Sequence, residues 1–250
     1  MKIALITGGS RGLGKAMATS IAAQGQDVIL TYNSKREEAE EVVASIERSG
    51  RKAVALQLDT SDIKSFATFR DIVKKTLQQT WQRDTFDFLV NNAGFGIHVP
   101  ITETTEEQFD QLVNVHFKGV FFLTQTLLPL IADGGRIINL SSGLARFSNP
   151  GYSVYGAAKG AIEVLTRYMA VELGPRGIAV NVVAPGAIAT DFGGGFVRDN
   201  EAANKQIASQ TALGRVGQAE DVGGVVAALL SDNTRWINGQ KIEVSGGVNL

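Results

Sequence analysis

The amino-acid sequence predicts an α/β fold in which about seven parallel strands form one doubly wound sheet with helices on both faces. Short apolar runs alternate regularly with longer amphipathic stretches, and a glycine-rich turn follows the first of those runs. A length of 250 residues, 44% hydrophobic and 20% charged, suits one compact domain spanning 1–250 with a substantial core.

Taken in order, strands are expected near 3 to 7, 27 to 32, 53 to 58, 86 to 90, 136 to 140, 178 to 183 and 241 to 244. Helices fall between them. Lys35 to Ser49 and Ile63 to Gln79 repeat apolar residues every three or four positions, and Val222 to Leu230 precedes the last strand. Gly193-Gly194-Gly195 and the polar stretch to Asn204 form the one conspicuous insertion, expected to be flexible.

Composition narrows the chemistry. With no cysteine, the chain has no disulfide, thiolate metal site or catalytic thiol, and His98 and His116 match no metal-ligand spacing, so no metal is expected. A net charge of −1, with bases scattered among acids, points away from nucleic acid and from a membrane surface. No apolar stretch near the N-terminus is long enough for a signal peptide, so a cytoplasmic protein acting on small molecules is expected.

Ligands of such sheets bind beyond the carboxyl ends of the strands, and the distinctive residues fall there. Thr7-Gly8-Gly9-Ser10-Arg11-Gly12-Leu13-Gly14 joins the first strand to a helix, and its glycines let backbone N–H groups approach a phosphate. Gly9 to Lys15 also matches the start of a P-loop. Ala16 then lacks the hydroxyl that would hold magnesium, which weighs against a nucleotide hydrolase. Farther along, Tyr155 and Lys159 lie four apart on one helical face, with Ser142 thirteen residues upstream of the tyrosine. A phenol titrates near 10, and a nearby cation favours its phenolate, so the group reads as a proton-transfer site.

Together these features resemble the short-chain dehydrogenase/reductase family, in its single-domain branch with a Rossmann-type sheet. The resemblance covers nearly the whole chain. It rests on the Thr-Gly-x-x-x-Gly-x-Gly turn, Asn91-Asn92-Ala93-Gly94, Asn114, Ser142, Tyr155 with Lys159, and Pro185-Gly186 with Thr190. The resemblance implies that Tyr155 is general acid in ketone reduction and base in alcohol oxidation, that Ser142 binds the substrate oxygen, and that Lys159 holds the nicotinamide ribose while favouring the phenolate. It implies that Asn114 holds a water linking Lys159 to solvent. Gly8, Ser10, Arg11, Gly12, Leu13 and Gly14 would bind the pyrophosphate side of the cofactor. Asn91, Ala93 and Gly94 would wall the adenosine ribose, Asp59 would meet the adenine, although Asp59-Thr60-Ser61-Asp62 equally fits a helix cap, and Pro185, Gly186, Ile188 and Thr190 would face the nicotinamide and pyrophosphate.

Asn33-Ser34-Lys35-Arg36 after the second strand carries no acid before Glu37, so with Arg11 it favours NADP(H) over NAD(H). A capping box from Ser34 to Glu37 is the local alternative for the same segment. Expected substrate walls are Phe95 to Val99, Leu144 to Tyr152 and 191 to 204, the last a mobile lid hinged at Gly193 to Gly195, which suits an apolar or aromatic-bearing ketone. The resemblance also admits a 3-oxoacyl carrier-protein reductase, with Arg146 and Arg176 as docking bases, or a non-catalytic dinucleotide sensor. It implies a homotetramer built on long helices, with Ile162, Leu165 and Met169 as an apolar stripe that suits either an interface or the core.

Overall fold

A computed structural model describes residues 1–250. Seven strands form one parallel sheet: β1 (Ile3–Ile6), β2 (Asp27–Tyr32), β3 (Ala53–Gln57), β4 (Phe86–Asn91), β5 (Ile131–Leu140), β6 (Ala179–Pro185) and β7 (Lys241–Val244). Their order is β3-β2-β1-β4-β5-β6-β7, so the chain reverses direction across the sheet between β1 and β4. Ligands bind at that crevice in open sheets of this kind.

Both faces are covered because the strands are apolar on both sides. In β1, Ala4 and Ile6 join one core while Ile3 and Leu5 join the other, as the two-residue period of a strand dictates. The first core lies under α1 (Gly12–Ala23), α2 (Arg36–Arg48) and α9 (Ala219–Leu229). On the other face pack α3 (Phe66–Trp81), α5 (Gly119–Leu127) and α6 (Ser153–Glu172). Ile162 and Met169 are buried and Leu165 packs against that second core, so the predicted stripe on α6 is core. No helix is long and apolar enough to cross a membrane.

Three segments differ from expectation. Strand β5 begins at Ile131, because Ile131 pairs with Phe86 and Arg136 with Phe88, leaving residues 132 to 135 as a bulge with Gly134 at φ +74°. The helix carrying Asn114 is broken: α4 (Glu106–Val113) passes into a π-helical turn, Asn114–Lys118, before α5. The expected flexible insertion is helical, with a short turn at Phe192–Gly195, then α7 (Phe196–Asp199) and α8 (Glu201–Ser209). Arg198 holds it by ion pairs to Asp191 and to Asp199.

Candidate active site

The turn after β1 is stitched to the end of β4. Thr7 Oγ1 accepts from the backbone N–H groups of Asn92 and Ala93, both at 2.9 Å, and the Asn92 amide donates to the carbonyls of Thr7 and Gly8 at 2.8 and 3.0 Å. A Cβ at Gly14 would lie 2.0 Å from the Gly8 carbonyl oxygen, so only glycine lets α1 start this close to the turn. Asn91, expected beside the cofactor, points the other way: its amide donates to Thr124 Oγ1 of α5 and to Asn139 Oδ1 of β5, at 3.0 and 2.8 Å. Adjacent strand residues face opposite sides, which is why Asn92 rather than Asn91 reaches the turn.

This turn forms one end of a cavity of about 1450 Å³ along the carboxyl edge of the sheet. A single small-molecule site typically occupies roughly 300–1,000 Å³, so the space suits two ligands together. Of the predicted cofactor residues, Gly8, Ser10 to Gly14, Asn33 to Lys35, Asp59, Ala93, Gly94, Tyr155, Lys159, Pro185, Gly186, Ile188 and Thr190 all line it. Arg36 does not. It is exposed on α2 and pairs with Glu40 at 3.6 Å. The predicted Ser34 capping box is also absent, since the N-cap of α2 is Lys35 and no side chain caps it, which leaves Lys35 on the cavity wall with Ser34 and Arg11. Asp59 Oδ1 accepts from the N–H and Oγ of Ser61 in a local turn, while Asp62 caps the short helix that follows.

At the other end, β5 delivers Ser142 and the first two turns of α6 deliver Tyr155 and Lys159. Ser142 sits in extended backbone with its Oγ accepting from Leu144 N–H at 3.2 Å. Lys159 is buried, donates to the Leu140 carbonyl at 2.7 Å and stands 5.7 Å from the Tyr155 ring centroid. Burial lowers the Lys159 ammonium to about 7. For Tyr155, burial outweighs every other influence and raises the phenol above its ordinary range, with the Ser142 hydroxyl pulling it back down and Tyr152 adding to the rise. The expected pull of Lys159 on the phenol is therefore not the dominant effect. Tyr155 is thereby held as a neutral phenol.

Asn114 does not line this end of the cavity. It is half-buried on the π turn and off the cavity wall, whereas His116, two residues on and so on roughly the opposite helical face, lines the cavity with its ring 5.0 Å from that of Tyr155. Nothing in metal-ligand spacing marks His116; its contact with Tyr155 exists only in the fold. Aromatic side chains surround the remaining space. Phe192 lies 5.8 Å from Tyr155 and its ring packs where a side chain at Gly96 would stand. Tyr152 meets His98 edge-on at 5.1 Å, and Val99 N–H donates to the Gly151 carbonyl, tying two predicted walls together. Phe95, Leu144, Phe147 and Phe196 also line the space, and sequence reasoning missed Ile207 of α8 and Val248 near the C-terminus.

Residues 8–249 match a family model described as enoyl-(acyl carrier protein) reductase. The chain is 35% identical to a hydroxynaphthalene reductase-like protein of Metarhizium majus, over 98% of this chain and 94% of that one. Among solved structures it is similar to the promiscuous reductase LugOII, which catalyses keto-reduction at C1 during lugdunomycin biosynthesis, with a TM-score of 0.93 at 40% identity, covering 98% of this chain and 96% of the other. The angucycline C-6 ketoreductase LanV, solved with bound NADP, gives a TM-score of 0.93 at 35% identity, covering 99% and 95%.

Proposed function

Because the chain belongs to the short-chain dehydrogenase/reductase family, we propose that it reduces an aromatic-bearing ketone to a secondary alcohol with NADPH. It is an NAD(P)-dependent oxidoreductase acting on keto and CH–OH groups. The observation that carries the finer reading is the convergence of Ser142, Tyr155 and Lys159 at one end of a cavity whose other end is the glycine turn. Its residues fit a dinucleotide: Gly8 and Gly12 adopt φ of +66° and +53° in the turn, and Gly14 lets the start of α1 lie against the Gly8 carbonyl, where a Cβ would stand 2.0 Å from its oxygen.

When bound, the nicotinamide supplies the hydride. Tyr155 gives its proton to the carbonyl oxygen as charge develops there, and Ser142 donates a hydrogen bond to the same oxygen. Lys159 holds the ribose hydroxyls and keeps positive charge beside the phenolate that remains. Arg11 and Lys35 take the 2′-phosphate, with no acid at the end of β2 to repel it. The rings of Phe95, Phe147, Tyr152 and Phe192 sandwich a flat substrate, a reading supported by the similarity to LanV and to the hydroxynaphthalene reductase-like protein.

The carrier-protein reading is weaker because its docking bases are engaged. Arg146 pairs with Glu243 at 2.7 Å and donates to the Val248 and Asn249 carbonyls, and Arg176 is tied to Asp133 at 2.8 Å and to two backbone carbonyls. The test is NADPH consumption over acyl thioesters, aryl ketones and fused-ring ketones, with Tyr155→Phe as control. Turnover is expected on aromatic ketones and to fall about 10²- to 10⁴-fold in the variant. An undiminished rate in Tyr155→Phe rules out the mechanism, and faster turnover of acyl thioesters rules out the substrate class.

A further inference from the structure

One side chain joins two stretches of the cavity wall that lie far apart in the sequence. Arg146 follows Ser142 and the short turn Gly143–Ala145. Its Nε and Nη2 grip the Glu243 carboxylate of β7 side-on at 3.0 and 2.7 Å, while Nη2 also donates to the Val248 carbonyl and Nη1 to that of Asn249, both at 2.8 Å. Four of the five guanidinium N–H groups thus hold one segment. The same guanidinium lies 5.4 Å from the centroid of the Phe147 ring, which packs over Gly143 so closely that a Cβ there would stand 2.8 Å from it. The gripped segment has little stiffness of its own, since Gly246 and Gly247 turn the chain out of β7 at φ of +63° and +79°. Val248 then pairs with Thr211, beyond α8, and Asn249 N–H donates to the Gln210 carbonyl at 3.0 Å. Phe147, Gln210, Val248 and Asn249 all line the cavity, and Val248 is 4% exposed.

We propose that Arg146 is a positioning residue that sets substrate size: it clamps the Phe147 ring and residues 246–249 into a slot that holds the outer rings of a fused-ring ketone, while small ketones do not reach it. The inference rests on the ketone-reductase reading. A brace for the fold alone would need the ion pair with Glu243 but not the grip on two carbonyls of cavity-lining residues. Lysine, a point charge on a flexible stem, does not reproduce the planar fork that makes all four bonds.

Steady-state kinetics on two ketones separates these roles. Arg146→Lys and Arg146→Met are each expected to raise KM for 1-tetralone roughly tenfold, with kcat/KM for cyclohexanone and KM for NADPH held within about twofold. Equal losses on both ketones mark a brace for the fold and overturn the proposal. Val248→Ala leaves the clamp in place and widens the slot, so it too should raise KM for 1-tetralone; an unchanged value overturns the proposal even where the Arg146 variants fail to fold. Calorimetric titration with 2-naphthol reads the slot without turnover, and binding about tenfold weaker in Arg146→Met is expected. Equal affinity in parent and variant overturns it as well. Failure of the parent protein to reduce any ketone would sink the functional reading and leave the naphthol titration standing.

Discussion

Lys159 illustrates how one side chain serves the site at the expense of the fold. Its ammonium is buried with a single protein hydrogen bond, so its folded value falls from 10.5 to about 7. Between those limits the unfolded chain holds more protons than the folded one, and stability rises with pH across that window. Below pH 7 the lysine is charged in both states and the full desolvation penalty is present. Lys159→Met should therefore raise stability at pH 6 by on the order of 1–2 kcal/mol, about 4 °C in Tm, while abolishing activity. The gain should shrink steadily from pH 7 to 10.5, and a gain independent of pH in thermal melts would contradict it. His116 marks the limit of reading at this scale. Its spacing from Asn114 is plain in the sequence, but which of the two faces Tyr155 depends on the π turn.

Among the elements, periodicity located the strands and long helices to within a few residues, because apolar residues on both faces of β1, β2 and β4 leave little else for those runs to form. It failed at β5, where a bulge admits the polar residues 132 to 135 into the strand. It also failed at 191 to 204, where helices built on Phe196 and Val197 stand behind three left-handed glycines and the Arg198 ion pairs. The N-terminus of α2 gives the sharpest element-scale prediction. With no side-chain cap, Lys35 faces the cavity and Arg36 faces solvent, so Lys35→Asp should move the kcat/KM ratio of NADPH to NADH toward NADH by about ten- to a hundredfold. Arg36→Asp should move it far less. Equal shifts in the two variants, measured by steady-state kinetics, would remove the phosphate assignment.

Over the whole molecule, the buried side of α6 belongs to the core, but its outer side does not. Val164, Tyr168 and Val171 are 45%, 64% and 78% exposed along one stripe of that helix, an apolar face unlike the surface of an isolated domain. We propose that it packs against other copies in a homotetramer. Sedimentation should give a tetramer for the parent protein and a smaller species for Tyr168→Glu with Val171→Glu; a monomeric parent would dismiss the proposal. The sequence by itself determined the alternating strands and helices, the glycine turn, and the pairing of Tyr155 with Lys159, because these depend on local periodicity and on spacing within one element. Only the tertiary structure decided which neighbour in a pair faces the cavity: Asn92 over Asn91, Lys35 over Arg36, His116 over Asn114. Each choice turns on rotation about a strand or helix axis, which packing against the rest of the molecule sets and residue order does not.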